Sequence, residues 1–360
     1  MRRVGRECST GPLSRARHTE RPDRPRSLRS FLADTDEALR LGARPGATVW
    51  PTGFDLLDTT FGGGLRSGEL VLLAGTEGAG KTTFAMQVMR NAVATGRHAV
   101  VFSFELTAAS LIQRLLGLEA ATAAEEYEDP MNPPAGVRDF RAVLEAEDPD
   151  RRGLGAAMRA LTGGQDALMA IERYSDRLHI VEANRLTTMT QVANTVAAIA
   201  DETGEPPIVL VDYLQKIPVD GIEGTADETT RVTYVVETLK ELAMELECPV
   251  VAITAADREG LGAGHRMRTR DLRGSSALAY EADIVLILQT KENIVAREHL
   301  TYDLNAAKIY RRWVVISVEK NRFGGGQVEL EVEKDFEHGR YRPHVRVVSE
   351  RLIEERVFTT

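Results

Sequence analysis

The sequence predicts an α/β fold: a mostly parallel, twisted sheet flanked by helices, continued by an antiparallel C-terminal extension. Three observations predict it. Residues 69–105 read as strand, glycine loop, helix and strand in that order, the opening of a parallel α/β domain. Further on, the short apolar runs "PIVLVDYL", "CPVVAIT" and "ADIVLILQ" have the character of strands buried on both faces. Beyond Trp313 the pattern changes to alternating strands separated by Gly and charged turns.

The chain has 360 residues, 43% hydrophobic and 28% charged, the balance of a soluble globular protein. No apolar run approaches the ~18–20 residues that span a bilayer, and the N-terminus lacks the apolar stretch of a secretory signal. The two cysteines, Cys8 and Cys248, exclude a disulfide framework and a Cys-based zinc module, and suit a reducing cytoplasm. Net charge is −9, unevenly spread. Residues 1–30 hold nine Arg against Glu7, Glu20 and Asp23, hence +6, so the other 330 residues carry −15. An acidic body binds nucleic acid only through a local basic lining.

Residues 1–26 read as a disordered basic tail, either a nucleic-acid-binding arm or a solvated leader. Over 27–48, Leu28, Phe31, Leu32, Ala38 and Leu39 recur at helical spacing, so a linker or arm helix is expected there. The main domain is expected over 49–348, followed by a tail at 349–360. Its helices include "FAMQVMRNAVATG", "TMTQVANTVAAIADETG" and the apolar stripe from Arg231 to Glu247. Between 119 and 165 an acidic, proline-interrupted insertion is expected, partly mobile and on the surface.

Gly75 to Thr82, "GTEGAGKT", matches G-x(4)-G-K-[ST] in full, after an apolar strand and at the start of a helix. Glycines let backbone N–H groups curl round phosphates, and the helix N-terminus adds a positive field. Gly75, Thr76, Glu77, Gly78, Ala79, Gly80, Lys81, Thr82 and Thr83 are thus candidate nucleotide-binding residues, with Lys81 at the β- and γ-phosphates and Thr82 on Mg²⁺. Asp212 ends the strand "IVLVD", where a Mg²⁺-binding acid belongs; a helix cap or salt-bridged loop acid is the alternative. Glu105 ends "VVFSFE". If that strand lies next to the P-loop strand or one removed, Glu105 faces the γ-phosphate and can polarise a water. "VEKNRFGGGQVEL" places Lys320 and Arg322 at a strand end far from the glycine loop, a paired cationic hook, with the solvated cations of a surface hairpin as the alternative.

Two loops follow strand ends. Lys216–Thr230 is acidic, a poor phosphate binder. Ala255–Ser276 carries Arg258, Arg266, Arg268, Arg270 and Arg273, a candidate track for a single-stranded DNA backbone or an ordinary solvated loop. No aromatic stacking residue accompanies them.

The runs "GKTTFAMQVMRNA", "FSFEL" with "LIQRLL", "VDYLQ", "LKELAMELECPVVAIT" and "DLRGSSALAYEADIVLIL" come in the order and rough spacing of the RecA-like motor domain of DnaB-type replicative hexameric helicases. The chain resembles that family from about Trp50 to Arg342. The resemblance implies a RecA-like P-loop NTPase fold, ATP and Mg²⁺ as cofactors, and a homo-oligomeric, hexameric ring on single-stranded DNA. It implies Glu105 as catalytic base, Asp212 on magnesium and a site-linking role for Gln215. It also implies that Lys320 and Arg322 reach the neighbouring subunit's triphosphate. Ala255 stands where the family carries a polar sensor Gln, and residues 1–48 are too short and polar to replace its primase-contacting N-terminal domain. "KNRFG" is similar to RadA-type ATPases as well, and the segment "TGFDLLDTTFGGGLRSGELVLLAG" to RadA and KaiC. A ring-forming regulatory or recombination ATPase without unwinding activity is the second reading.

Overall fold

A computed structural model describes residues 25–42, 46–125, 131–147, 153–219, 227–256, 265–274, 276–301 and 304–353. The chain divides into two units, Met1–Ala47 and Thr48–Thr360. In the first, Leu28–Arg40 forms a helix whose start is capped by the Ser27 side chain accepting from Ser30 N. Most of the expected basic tail lies outside the described residues.

In the second unit, nine strands form one sheet among the described residues. They are β1 (Leu70–Gly75), β2 (Ala99–Ser103), β3 (Leu178–Glu182), β4 (Ile208–Asp212), β5 (Val250–Ile253), β6 (Ile284–Thr290), β7 (Trp313–Asn321), β8 (Val328–Asp335) and β9 (Arg340–Val347). Their spatial order is β9-β8-β7-β6-β1-β5-β4-β2-β3. The six from β6 to β3 are parallel, and β7, β8 and β9 add on antiparallel. The expected architecture is therefore present, including the C-terminal extension.

The pleat explains why β1 is apolar throughout. Val71 and Leu73 enter one core with helix α1 (Lys81–Ala94) and helix α2 (Ala108–Ala124). Leu70, Leu72 and Ala74 enter the other with helix α3 (Met189–Thr203) and helix α4 (Glu228–Glu245). Successive side chains point to opposite faces, so a strand covered on both sides has no polar row.

Two expectations change. β2 is not next to β1 or one removed: β5 and β4 both lie between them. The described part of 119–165 is also not a solvated excursion. Its helices Val137–Glu145 and Leu154–Arg159, with Gly164–Glu172, pack on α2 around buried Leu116, Ala120, Phe140 and Met158. Acidic residues mask these few apolar anchors in the sequence. Residues 126–130 and 148–152 lie outside the described residues.

Candidate functional site

The glycine loop leaves the C-terminal end of β1 and runs into α1. Gly75 approaches β6 so closely that a Cβ would fall 2.2 Å from Leu288 O, and Thr76 N donates to that same carbonyl at 3.2 Å. Gly80 caps α1 in the left-handed region, φ +85°. A Cβ there would lie 2.4 Å from Phe336 Cζ and 2.5 Å from Tyr341 Oη, so the turn between β8 and β9 is packed directly on the loop. The Tyr341 hydroxyl donates to Ala79 O. Gln87 of α1 holds the Tyr341 backbone in both directions, Nε2 to O at 2.9 Å and N to Oε1 at 2.8 Å. Around Gly78 the space is open, and Glu77 is exposed.

The Lys81 ammonium folds back over the loop, donating to Gly75 O (3.0 Å) and Thr76 O (3.2 Å). Burial pushes its pKa down, against the pull of Asp212, Glu105 and Glu77. Thr82 Oγ1 donates to Asp212 Oδ2 at 2.7 Å. Asp212 ends β4, which is separated from β1 by β5 alone, and is 2% exposed. Its other oxygen, Oδ1, is buried with no hydrogen-bond partner. Burial raises the Asp212 pKa, with Glu105 pushing the same way, against the Thr82 bond and the Lys81 and Arg114 charges.

Glu105 lies in a bend two residues past the end of β2. It is half exposed and 3.7 Å from Lys216 Nζ. Although β2 is three positions from β1, the Glu105 charge acts on both Lys81 and Asp212. Phe104 N donates to Asp212 O at 2.8 Å, which fixes the bend against the tip of β4. Gln215 ties the ends of β4 and β5 together: its Nε2 donates to Thr254 Oγ1 (2.8 Å) and Arg273 O (3.2 Å), and its Oε1 accepts from Ala255 N (3.2 Å).

Lys320 and Arg322 lie elsewhere. β7 is antiparallel to β6, so its C-terminal end returns to the start of the parallel strands. Lys320 pairs with Val285, whereas Gly75 pairs with Leu288. The hook is thus at the end of the sheet opposite its own glycine loop. Lys320 Nζ donates to Ala279 O (2.8 Å) and Tyr280 O (3.2 Å), and Arg322 Nη1 to Asp283 Oδ1 (2.9 Å).

The candidate DNA-contacting arginines are largely engaged within the chain. Arg266, 7% exposed, pairs with Glu329. Arg268 Nη1 is 2.7 Å from Glu319 Oε1, and Arg273 Nε 2.9 Å from Glu228 Oε1. Arg270 stands in a short turn, Thr269–Asp271. Arg258 lies outside the described residues, as do 220–226 of the acidic loop.

Sequence reasoning passed over two contributors. Arg114, on α2, donates to Thr83 Oγ1 at 3.2 Å and feels the Asp212 charge; burial lowers its pKa, and Arg141 adds to this. An Arg on the helix that follows Glu105 was the available signal. Tyr341 had none, since it meets the loop from 262 residues away.

A glycine loop at the C-terminal end of a central parallel strand, with an acid at the tip of β4 bonded to the threonine after its lysine, defines the RecA-like class of P-loop domain. The family model described as "DnaB-like helicase C terminal domain" matches residues 50–138 and 157–340, and the chain belongs to that family. The unmatched 139–156 fall in the insertion. Among similar proteins, the replicative DNA helicase DnaB of Pasteurella multocida (strain Pm70) is 26% identical over 274 residues, 74% of this chain and 53% of that protein. The replicative DNA helicase DnaB of Rhodothermus marinus is 29% identical over 304 residues, 79% of this chain and 29% of that protein. The chain thus spans about half or less of these relatives' length. Two solved structures share the fold with TM-scores of 0.64 over 88% of this chain. One, an ATPase domain, is 21% identical with 98% of its chain covered. The other, a DnaB-like replicative helicase studied with its interactions with primase, is 20% identical with 68% covered.

Proposed function

We propose that this chain hydrolyses ATP with Mg²⁺ at the subunit boundaries of a homo-oligomeric, hexameric ring, and uses the cycle to move along single-stranded DNA in replication or repair. Its partners would be replication or recombination proteins, and its location the cytoplasm. Among the described residues no helix is long and apolar enough to cross a membrane.

One observation carries the reading: the glycine loop and its acids sit at one end of the sheet, the paired cations at the other. Three residues of strand separate the two levels, about 10 Å at ~3.3 Å per residue. A cation that completes this site would come most directly from a neighbour, with two copies meeting end to end. An arginine supplied in trans stabilises charge on a transferring phosphoryl group.

The metal fit rests on the donors. The Thr82 hydroxyl and the partnerless Oδ1 of Asp212 are hard oxygens of the kind Mg²⁺ takes, one carboxylate completed by phosphate and water. When bound, the metal would neutralise phosphate charge. The N–H groups of 75–83 would cradle the phosphates. Lys81 would exchange two carbonyls for phosphate oxygens. Glu105, held only by a long and exposed pair with Lys216, keeps its carboxylate available to take a proton from water. Arg114 would brace Thr83, next to the metal oxygens.

The test is ATP turnover with and without single-stranded DNA across a salt series. Stimulation that weakens with salt is expected. Turnover indifferent to DNA would refute the motor reading and leave a ring ATPase without unwinding activity. Arg322→Ala should abolish turnover and spare nucleotide binding, and admixed Lys81→Ala subunits should restore part of it. Normal turnover in Arg322→Ala alone would refute the trans role.

A further inference from the structure

Asp283 is fully buried at the start of β6, on the side of the hook. Its Oδ2 accepts from Leu70 N (2.9 Å) and from Lys240 Nζ (2.7 Å), and its own N donates to Leu70 O (2.9 Å). Leu70 opens β1, the strand that carries the glycine loop. Lys240 is anchored in turn on Gly68 O at 2.8 Å. Asp283 is therefore fixed by two bonds to Leu70 at the base of the P-loop strand, and by a third to Lys240 of α4, before the hook is considered.

Asp283 then grips Arg322 twice. The Arg322 backbone N donates to Asp283 O (2.9 Å), and Nη1 donates to Asp283 Oδ1 (2.9 Å). Arg322 is nonetheless 46% exposed, so this bond is not needed to bury a charge. A guanidinium has five N–H donors in a planar fork, and the bond to Oδ1 takes one of them. The rest of the fork stays available to two oxygens of a phosphate. Lys240, only 14% exposed, already compensates the buried carboxylate. Drawing Arg322 toward a phosphate thus leaves no naked charge behind. A firmly anchored acceptor, with one nitrogen engaged and the side chain still 46% exposed, is an arrangement that orients an arginine for an external ligand.

We propose that Asp283 is a positioning residue for Arg322: it aims the guanidinium at the triphosphate of the adjoining copy and keys that aim to the base of its own subunit's P-loop strand. This rests on the trans role of Arg322 stated above. Asp283 touches no nucleotide and acts through Arg322 alone.

The experiment compares Asp283→Asn, Arg322→Ala and the double variant Asp283→Asn/Lys240→Met, each alone and mixed with Lys81→Ala protein. A misaimed catalytic group costs up to about a hundredfold, so Asp283→Asn should lower kcat about ten- to a hundredfold, with KM for ATP within about twofold. Mixing with Lys81→Ala should restore turnover, because those subunits bring an intact Asp283–Arg322 pair to the intact P-loops of the variant. A fold defect within the variant's own site would not be cured that way. The double variant removes both buried charges; it should stay slow and be rescued equally. Wild-type kcat in Asp283→Asn overturns the proposal. So does wild-type kcat in the double variant, which would trace the defect to an unpaired Lys240. If Lys81→Ala rescues Arg322→Ala but not Asp283→Asn, the positioning role alone is refuted. If it rescues neither, the trans hook falls and the positioning role with it.

Discussion

Asp212→Asn should stabilise the metal-free protein while removing its hydrolysis. Asp212 is 2% exposed, and one oxygen accepts from Thr82 while the other has no partner. An unsatisfied buried group costs about 1–3 kcal/mol, more when charged. The amide keeps the bond from Thr82 and removes the charge, though its nitrogen still lacks an acceptor. A net gain of about 1–2 kcal/mol is expected. For a unit of about 300 residues, an unfolding entropy of ~2.1 cal/mol/K per residue converts this to about 1.5–3 °C in Tm. The sign depends on pH. The folded pKa of Asp212 is raised, chiefly by burial, so the wild-type protein recovers its stability as the carboxyl protonates at low pH and loses it as pH rises through that pKa. The advantage of Asp212→Asn should therefore be present at neutral pH and vanish in acid. Thermal melts in a chelating buffer at two pH values read it directly, and added Mg²⁺ with ATP should raise the wild-type Tm more than that of Asp212→Asn. An Asp212→Asn protein that melts lower than wild type at neutral pH without metal would refute the reasoning: the carboxylate would then be a structural anchor, not a site left open for a cation.

Two further predictions concern the loop and the turn packed on it. Gly80→Ala meets a left-handed backbone, which costs about 1–3 kcal/mol, and would drive Cβ against Phe336 and Tyr341; Gly78→Ala shares the positive φ but opens on empty space. Titration with a fluorescent nucleotide should show much the larger affinity loss for Gly80→Ala, and equal losses would contradict the packing. In the turn, His338 Nδ1 lies 2.7 Å from Asp335 Oδ1, and that bond raises the His338 pKa despite burial. Burial works upward on Asp335, but bonds from His338 and Arg340 hold it down at about 2. The His338 contribution is complete below its unfolded pKa of about 6.5 and is lost as pH rises through the raised folded value. The Tm gap between wild type and His338→Gln should accordingly be widest in mild acid and close in alkali; a constant gap would show that the imidazole acts by packing alone.

What could be read from the sequence follows from locality. β1, β4, β5 and β6 were legible because strands covered on both faces are uniformly apolar. The loop from Gly75 to Thr83 was legible because glycines, lysine and threonine act within one turn of chain. Asp212 was legible from its place at a strand tip. The order of the strands was not, since nothing near Glu105 records that β4 and β5 enter between β2 and β1. Only the bend after Ser103 and its bond to the tip of β4 bring Glu105 back toward the site. Nor could Tyr341, Gln87 and Phe336 be seen as supports of the loop, because that contact depends on how the last hairpin folds over. The acidic stretch misled for a compositional reason. Ten carboxylates over 119–150 outweigh in composition the few apolar residues, Phe140 and Met158 among them, that are buried against Leu116 and Ala120 of α2.

The same distinction decides how much of the basic segment can serve a phosphate backbone. Counted in sequence, Arg258, Arg266, Arg268, Arg270 and Arg273 are five cations. At a slope of about −0.7 per phosphate neutralised on a single strand, they would give log K against log salt a slope of about −3.5. In the fold, Arg266, Arg268 and Arg273 already face Glu329, Glu319 and Glu228. Glu329 is itself held by Ser317, and Glu319 directly precedes Lys320 in β7. For a phosphate to take one of these arginines, a carboxylate must be left behind, and the cation it then recruits from solution cancels the one released from DNA. These three paired arginines therefore add little to that slope. Arg268→Gln should thus leave the measured salt slope of single-strand binding unchanged. A fall of about 0.7 would mean that Arg268 deserts Glu319 for the strand, and that the pairs seen here open when DNA binds.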